Sequence, residues 1–453
     1  MAQTEKILIA GTGKSGIAAA KMALSAGASV ILYNSDPATD REKILELLPA
    51  GSSAEVLCGS LYTGNLRGVS LAVISPGIPT DADFVSVIDK AGVPLIGELE
   101  LAYQASRGMV CGITGTNGKT TTTSMVGEIL KATYRDVHVA GNIGTPFSEE
   151  ALQTGKDSVS VLEVSSFMLE TIHEFHPKVS AILNITPDHL NRHKTMENYI
   201  RCKEAITMNQ TEDDYVILNY DDEVLRAFGT SGKLKPHVVW FSSRVEPPEE
   251  AVFLRDGKII VKDRDEQKEL LTCLDMNVIG RHNYENACAA AAVSLKMGAD
   301  LQTTAKVLLD FKAVEHRIEF VRERSGVRYY NDSKGTNTDA AIQALNAMPG
   351  PVVLIGGGYD KGGEFDDWVS LFPGKVKQLV LLGQTRDRIT QCCRKYGFDS
   401  IAYAESMEEA VQISASYASI GDYVLLSPAC ASWGMFRDFE ERGRIFKDCV
   451  RQL

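Results

Sequence analysis

The stretch Gly112–Thr121, with the sequence Gly-Ile-Thr-Gly-Thr-Asn-Gly-Lys-Thr-Thr, limits the possible folds more than any other part of the chain. It follows the apolar run Met109–Cys111 and precedes a helix-like segment. A strand, a glycine-rich turn and a helix start form a phosphate cradle, because backbone N–H groups and the helix N-terminus face the oxygens. Lys119 would then reach the outer phosphates, and the Thr120 hydroxyl would hold magnesium. One glycine of the usual pattern is replaced by Ile113, so a chance Gly-Lys-Thr in an ordinary turn is the alternative.

Composition sets the outer limits on the class of protein. A chain of 453 residues with 44% hydrophobic residues is long enough for two to four domains. The net charge of −12, without a long basic run, argues against a nucleic-acid partner but not against small anionic substrates. No apolar stretch of about 18 residues predicts a membrane span, and no signal peptide is recognisable. Nine cysteines without a Cys-x-x-Cys pair are typical of a reducing compartment, so we expect a cytoplasmic protein.

Three blocks of alternating strand-like and helix-like segments predict an α/β fold in which each block buries a mainly parallel sheet. The first block opens with the strand Lys6–Ala10 and the turn Gly11–Gly16, as a doubly wound sheet does. Its Gly-x-Gly spacing alone is a weak signal, which packing of the turn explains equally well. The second block carries the phosphate loop. We predict a Rossmann-like domain at residues 1–97, a P-loop ATPase-like domain at 98–313 and a second Rossmann-like domain at 314–453.

Several polar residues of the second block are candidates for chemistry. Glu163 ends an apolar strand, where it could bind magnesium or cap the next helix. His189 follows another such strand; a lone histidine is more often structural, but the shared sheet edge favours a functional role. Lys203 lies on a predicted helix, and an unmodified ammonium cannot bind magnesium, so the residues alone indicate a surface lysine. Asn283 lies at a helix start, where capping and ligand contact explain it equally well.

The third block ends its strands in small or polar residues. These turns are Asn331–Lys334, Asp360–Gly363 and the segment that contains Ser432. They could bind an anionic second substrate at the carboxyl edge of the sheet. Each turn taken alone is at least as well explained by local turn chemistry.

Taken together, these segments resemble the Mur ligases over essentially the whole chain. The loop Gly115–Thr120 is common to the amino-acid-adding Mur ligases and the folylpolyglutamate synthases, so it indicates only the superfamily. More specific are the segments Gly11–Gly16, Ser75–Pro79, Gly141–Gly144, Leu162–Phe167 and Ser427–Gly443. The last of these is particularly similar to the members that add D-glutamate. The chain has no Asp-Asn-Pro-Arg motif of the kind found in the diamino-acid-adding members.

The resemblance implies an ATP-dependent amide ligase of peptidoglycan precursor synthesis. Such an enzyme joins D-glutamate to UDP-N-acetylmuramoyl-L-alanine through an acyl phosphate, with ATP and two Mg²⁺ ions as cofactors. We expect these small-molecule substrates, no nucleic-acid or membrane partner, and a monomer. A folylpolyglutamate synthase is the alternative enzyme, but that family lacks a separate first sheet domain. A nucleotide-dependent switch without ligase activity is the alternative from another class.

The resemblance also implies the role of individual residues. The residues expected to bind the uridine diphosphate part of the substrate are Lys14, Ser15, Gly16, Asn34, Gly77 and Asn142. The residues expected to bind ATP are Gly115, Thr116, Asn117, Gly118, Lys119, Thr120, Thr121, Asn283 and Arg317. The residues expected to bind the metal ions are Thr120, Glu163, His189 and Lys203, and the matching lysine is carbamylated in this family. The expected catalytic residues are Lys119, Glu163, His189 and Lys203. The residues expected to bind D-glutamate are Lys334, Thr336, Lys361, Ser432 and Phe439.

One position departs from the family pattern. Met168 stands where the family usually has Gln after Ser-Ser-Phe. A thioether cannot donate a hydrogen bond. A hydrogen bond from this position to phosphate or to the substrate carboxylate is therefore in doubt in this chain.

Overall fold

The computed structural model describes residues 5–264, 266–312 and 315–453, and in these ranges the strands form three sheets. Each sheet is mainly parallel and its strands alternate with helices along the chain, which confirms the predicted α/β fold. The predicted domain boundary between residues 313 and 314 lies outside the described residues. Within the described ranges, no helix is long and apolar enough to cross a lipid bilayer.

The first sheet has the strand order β3-β2-β1-β4-β5, and all of its pairs are parallel. Its strands are β1 (Lys6–Ala10), β2 (Ser29–Asn34), β3 (Ala54–Cys58), β4 (Val69–Ile74) and β5 (Leu95–Gly97). Its helices are α1 (Lys14–Ser25), α2 (Arg41–Leu45), α3 (Asp83–Lys90) and α4 (Glu98–Ala105). Alternate residues of β1 enter different apolar clusters, Ile7 with Ile9 and Leu8 with Ala10. The strand is therefore buried on both faces, as a central parallel strand must be.

The second sheet has the order β14-β13-β12-β11-β10-β9-β6-β8-β7, with an antiparallel β12–β13 pair. Its strands are β6 (Met109–Thr114), β7 (Val137–Gly141), β8 (Val159–Glu163), β9 (Val179–Ile182), β10 (Tyr215–Asn219), β11 (His237–Ser242), β12 (Ala251–Arg255), β13 (Lys258–Asp263) and β14 (Glu266–Thr272). The helices in and after it are α5 (Lys119–Thr133), α6 (Phe147–Glu150), α7 (Ser166–Leu169), α8 (Leu190–His193), α9 (Met196–Glu204), α10 (Glu223–Gly229), α11 (Arg281–Lys296) and α12 (Leu301–Asp310).

The third sheet has the order β15-β16-β20-β17-β18-β19, with an antiparallel β15–β16 pair at one edge. Its strands are β15 (Glu319–Arg324), β16 (Val327–Asn331), β17 (Val352–Gly357), β18 (Val376–Leu382), β19 (Ile401–Tyr403) and β20 (Tyr423–Leu426). Its helices are α13 (Thr338–Ala347), α14 (Asp366–Val369), α15 (Arg386–Lys395), α16 (Met407–Tyr417) and α17 (Phe439–Gln452).

Short polar side chains fix where many of these helices begin. A side-chain oxygen just before the first helical residue accepts a bond from the backbone N–H three residues later, and this satisfies a donor that the helix cannot. The residues that do so are Asp40, Ser165, Thr195, Asp222, Asp300, Asn337, Ser406 and Asp438. Helix α7 is thus capped by Ser165, and the alternative that Glu163 caps this helix is wrong.

The described chain divides into two compact units. One contains the chain up to Leu271 together with Glu285–Leu308, and so holds the first sheet and nearly all of the second. The other contains Thr272–Tyr284 and the chain from Leu309 onwards, and so holds the third sheet.

Candidate functional site

The phosphate loop follows an interior strand of the second sheet, because β6 lies between β8 and β9. In the register of these strands, Ile113 lies opposite Glu163 and Thr114 lies opposite Ile182. The loop after β6, the carboxylate of Glu163 and the segment after β9 therefore meet at the carboxyl edge of one parallel sheet. Ligands of open α/β sheets bind at this edge.

The loop itself is held in one conformation. Gly118, directly before α5, has φ +84°, and a Cβ there would lie 2.4 Å from Asn286 Oδ1. Asn184, just after β9, accepts from the backbone N–H groups of Thr116 (2.9 Å) and Asn117 (2.8 Å). The Thr116 hydroxyl lies 3.0 Å from the hydroxyl of Tyr199. The loop is thus preorganised, so little conformational entropy is lost when an anion binds.

Two lysine amines converge on this loop. Lys119 Nζ donates to the carbonyls of Gly115 and Thr116, each at 2.8 Å. Lys203 Nζ donates to the same Gly115 carbonyl at 2.8 Å and lies 4.7 Å from the ring centre of Tyr199. Lys203 is only 1% exposed, so the expectation of a surface lysine is wrong. Burial, and then the nearby charge of Lys119, hold the pKa of Lys203 well below its usual value.

Glu163 is buried at the end of β8, and its two oxygens differ. Oε1 accepts a hydrogen bond of 2.7 Å from the amide of Asn142. Oε2 is buried and has no hydrogen-bond partner among the described residues. A buried carboxylate oxygen without a donor is costly unless a cation meets it. The environment of Glu163 therefore fits a bound metal ion.

His189 lies after β9 with its backbone in the left-handed region, at φ 52°, directly before α8. Its half-exposed ring lies 3.5 Å from the Asp188 carboxylate and packs edge-on against Phe167, with 4.9 Å between ring centres. Thr120, in the first turn of α5, is buried. The second sheet therefore brings Thr120, Glu163, His189 and Lys203 to one edge.

A cavity of about 1060 Å³ lies at the carboxyl edge of the first sheet. Among the residues assigned to the uridine diphosphate, those that line it are Lys14, Ser15, Asn34, Gly77 and Asn142. Gly16 does not line the cavity. A Cβ at Gly16 would lie 1.9 Å from the carbonyl oxygen of Gly11, so this glycine serves the close packing of helix α1 on the turn.

The wall of this cavity includes residues that follow strands of the second sheet, among them Asn142, Phe167 and Met168. The amine of Lys14 donates to the carbonyl of Gly144, which connects the first turn of α1 to this wall. Met168 is 4% exposed and belongs to the apolar core below the cavity. The side chain in place of the usual Gln is therefore both cavity wall and core.

In the unit that holds the third sheet, the predicted amino-acid site forms two groups of contacts. Lys334 Nζ lies 5.6 Å from the ring centre of Phe439, and Lys361 Nζ lies 5.0 Å from that of Trp433, next to the buried Ser432. Backbone bonds Gly357 N to Pro428 O and Tyr359 N to Ala431 O, both 2.9 Å, join the turns after β17 and β20. Thr336 lies in the same turn as Lys334, whose carbonyl accepts from its N–H at 2.9 Å.

A buried ionic network supports these turns. Arg442 donates from Nε to Ser333 Oγ (2.9 Å), from Nη2 to the Ser333 carbonyl (2.7 Å) and from Nη1 to the Cys430 carbonyl (3.0 Å). Asp332 accepts from Ser427 Oγ at 2.7 Å, and burial raises the pKa of this carboxyl to about 7. The network fixes the backbone on which Lys334 and Ser432 stand.

Asn283 and Arg317, both assigned to ATP, belong to the unit of the third sheet. Asn283 is the third residue of α11, and its amide donates to the Ile279 carbonyl at 2.7 Å. It is therefore not the cap of that helix, since a cap would accept instead. Arg317 Nε is buried without a hydrogen-bond partner among the described residues. The burial of His282, and then the nearby charge of Arg317, lower the pKa of His282 to about 4.

Two other groupings have the residue types of metal sites, but each already has a cation. Glu170, His193 and Cys202 lie close together, and Arg192 binds both oxygens of Glu170. The second grouping is Glu315, His316 and Glu319, in which Lys447 Nζ lies 2.5 and 2.9 Å from the two carboxylates. Both are adequately explained as ion-pair clusters.

Sequence reasoning missed two residues that hold the phosphate loop, Asn184 and Tyr199. Asn184 is the second residue after β9, so its position at the edge of the sheet where ligands bind was a usable signal. Tyr199 lies on α9, and no local pattern indicates that its hydroxyl reaches Thr116. Asn286, on helix α11, packs against Gly118.

Comparison with known proteins identifies the family. The chain matches the MurD-like N-terminal domain of Mur ligases over residues 5–97, the Mur ligase middle domain over 113–294 and the glutamate ligase domain of Mur ligases over 316–430. The chain therefore belongs to the Mur ligases, a family of ATP-dependent ligases.

Individual relatives match over the full length. A protein of Lachnospira eligens is 50% identical over 100% of this chain and 99% of its own, and one of Lachnoclostridium phytofermentans is 48% identical over 99% and 98%. Both are named UDP-N-acetylmuramoylalanine–D-glutamate ligase.

Solved structures share the fold. The MurF ligase of Thermotoga maritima in complex with ADP has a TM-score of 0.60 at 18% identity, over 99% of this chain and 96% of its own. The UDP-N-acetylmuramate–alanine ligase of the same organism has a TM-score of 0.60 at 18% identity, over 99% and 100%. These similarities agree with the predicted three-domain α/β architecture.

Proposed function

We propose that this chain joins D-glutamate to UDP-N-acetylmuramoyl-L-alanine with the hydrolysis of ATP to ADP and phosphate. One observation carries the proposal: Asn142 lines the large cavity and donates to Glu163 at the edge that bears the phosphate loop. A nucleotide-sugar in the cavity and a nucleoside triphosphate on the loop would therefore meet at this hydrogen bond. The names of the full-length relatives support the same reaction.

We assign the parts of the reaction to domains at residues 1–97, 98–313 and 314–453. The first would bind the uridine diphosphate through Lys14, Ser15, Asn34 and Gly77, with Gly16 shaping the turn. The second would bind ATP through Gly115–Thr121, and Asn283 and Arg317 would contribute further contacts to ATP. Backbone N–H groups at a helix start and a lysine amine are suited to phosphate.

We infer that Mg²⁺ binds at the edge of the second sheet, through Thr120 and Glu163 at one position and His189 with Lys203 at the other. The unpartnered Oε2 of Glu163 supports the first position. For the second, the amine of Lys203 must become an anion. Because the pKa of Lys203 is well below its usual value, a larger share of its amine is uncharged at neutral pH, and only this form adds carbon dioxide to give a carbamate.

The chemistry follows from what the bond requires, since a carboxylate and an ammonium do not condense in water. The alanyl carboxylate attacks the γ-phosphorus and ADP leaves, which gives an acyl phosphate. Lys119 and the loop amides stabilise the charge on the transferred phosphoryl group, and bound Mg²⁺ would neutralise charge on the phosphate oxygens. The uncharged amine of D-glutamate then attacks the acyl carbon, phosphate leaves and the amide loses a proton.

D-Glutamate would bind in the third domain through Lys334, Thr336, Lys361, Ser432 and Phe439. Lys334 and Lys361 each lie over an aromatic ring at the carboxyl edge of the third sheet. These rings restrict where the two ammonium groups can go, so the cations are presented to the carboxylates in a restricted geometry. We further propose a cytoplasmic monomer, in agreement with the cysteine pattern and net charge.

Phosphate release tests the proposal directly. The purified chain receives ATP, Mg²⁺ and UDP-N-acetylmuramoyl-L-alanine, with D-Glu, L-Glu, L-Lys or L-Ala in turn. We expect phosphate release and a new amide product with D-Glu, and none when either the nucleotide-sugar or the amino acid is left out. Release that does not depend on the nucleotide-sugar would contradict the proposed reaction.

A further inference from the structure

Arg192 makes contacts that no sequence motif predicts. It lies in the short helix α8, which begins directly after His189. Its Nη2 donates to Glu170 Oε2 at 2.5 Å and to the carbonyl of Ile78 at 2.8 Å, while its Nε donates to Glu170 Oε1 at 3.2 Å. Its guanidinium carbon lies 4.9 Å from the ring centre of Phe167. One side chain, 11% exposed, thus contacts two separate segments, the turn of Ile78 and the segment Phe167–Glu170.

Both segments contribute to the wall of the cavity, and one of them also contacts His189. Ile78 lies in the turn after β4 and lines the cavity at the first sheet. Phe167 lines the same cavity and packs edge-on against the His189 ring. Arg192 is three residues after His189 in the chain, and His189 lies at the edge that bears the phosphate loop. Arg192 therefore connects the wall of the cavity to a residue at the triphosphate edge, both by its side chain and by its main chain.

We propose that Arg192, oriented by Glu170, is a positioning residue that couples filling of the cavity to binding of ATP at the phosphate loop. The inference rests on the proposed function for the identity of the two ligands. A nucleotide-sugar that orders the Ile78 turn also fixes Arg192, and through it Phe167 and His189, so that part of the ordering cost of the second ligand is already met.

The chemistry of the pair explains why this residue is an arginine. The planar guanidinium holds both oxygens of Glu170 and still donates to the Ile78 carbonyl, whereas a lysine amine is a point charge without this fixed fork. A salt bridge that only stabilised the second sheet would need Glu170 alone. The additional bond to Ile78, in a turn of the first sheet, is what a coupling role requires.

Binding measurements test the coupling without turnover. Calorimetry gives the dissociation constant of a non-hydrolysable ATP analogue with Mg²⁺, alone and with saturating UDP-N-acetylmuramoyl-L-alanine. In the parent we expect the nucleotide-sugar to tighten analogue binding by about fivefold or more. In Arg192→Met the tightening should fall below about twofold, while each ligand alone binds within about threefold of the parent. Arg201→Met is the matched control, since Arg201 is exposed on α9 and its side chain bonds to Asn198 in the same helix.

Two further variants keep the test decisive if Arg192→Met does not fold, which circular dichroism and a thermal melt will show. Glu170→Gln leaves Arg192 and Ile78 in place but removes the anion that orients the fork, so it should also lose the coupling. Arg192→Lys keeps the charge and should still lose it. Retained coupling in the folded variants would overturn the inference.

The parent alone separates this inference from the proposed function. A parent that binds both ligands without coupling refutes only the role of Arg192. A parent that does not bind UDP-N-acetylmuramoyl-L-alanine at all refutes the proposed function.

Discussion

Replacement of Lys203 by methionine tests the centre of the proposed mechanism. Methionine keeps most of the buried stem against Tyr199 and removes the amine that bonds Gly115. The Gly115 carbonyl keeps its bond from Lys119, so we expect a loss of only about 1 kcal/mol in the free energy of unfolding. A lost metal ligand removes charge stabilisation from the transition state, so kcat should fall by about 10²–10³-fold, or roughly 3–4 kcal/mol.

The assay combines phosphate release with denaturant unfolding of the same preparations. Lys131→Met is the matched control, because Lys131 is exposed on α5 and pairs with Glu128 of the same helix. Lys203→Arg should also lose most activity, since guanidinium cannot take up carbon dioxide and its larger head must fit a site that is 1% exposed. Lys203→Ala should regain part of its activity with acetate or propionate, which can fill the vacated ligand position.

A direct measurement of the carbamate separates this idea from a role as an ordinary buried amine. Protein incubated with ¹³C-bicarbonate should give a carbamate ¹³C resonance that is absent in Lys203→Met. A nucleotide-bound crystal should show a planar group of three heavy atoms beyond the amine nitrogen. A bare amine in such a crystal, with an active Lys203→Arg variant, would refute the reasoning.

Five further substitutions have defined outcomes. Lys119→Ala should reduce kcat by about 10²–10³-fold with the fold intact by circular dichroism, and it should lower the melting temperature only slightly, because two bonds to the loop carbonyls are lost. A kcat within about threefold of the parent would exclude this loop as the phosphate site. Lys361→Ala and Ser432→Ala should each raise the KM for D-glutamate more than that for ATP in steady-state assays; the reverse would contradict the assignment of the amino acid to the third sheet. Met168→Gln should give equal or better activity, because its amide can donate into the cavity, but a lower melting temperature, because part of it is buried in an apolar core; an activity loss of more than about tenfold would show that the site is built around the thioether. Burial raises the pKa of Asp332 from 3.8 to about 7, so the stability that its neutral form provides is fully present below about pH 4 and is lost as pH rises to about 7. Asp332→Asn should flatten this fall in melting temperature between about pH 4 and pH 7, and an unchanged pH profile would refute the buried neutral carboxyl.

The local features of the site could be predicted because they are encoded by short segments. Glycines at Gly115 and Gly118, an apolar run before them and a helix-like segment after them specify a strand, a turn and a helix start without reference to the rest of the chain. The placement of Glu163 at the same edge followed from one rule, that parallel strands end on one side of a sheet. The structure confirms the α/β class, and the comparisons confirm the family.

The environment of a side chain could not be predicted in the same way. Lys203 has the composition of a surface position, in a helix with mostly polar neighbours, yet it is 1% exposed because α9 packs over the phosphate loop. Its lowered pKa arises from this burial and from Lys119, which is 84 residues away in the chain. Periodicity reports which face of a helix is apolar, and it carries no information about which polar residue is buried against a distant segment.

The sequence by itself therefore determined the phosphate loop, the α/β architecture and the family of this protein. Only the tertiary structure decided that Lys203 is buried, that the second oxygen of Glu163 has no donor among the described residues, and that Arg192 reaches the turn at Ile78. The physical reason is the range of the interactions. Local backbone conformation follows largely from neighbours in the chain, whereas desolvation and hydrogen-bond pairing depend on segments that meet only after folding.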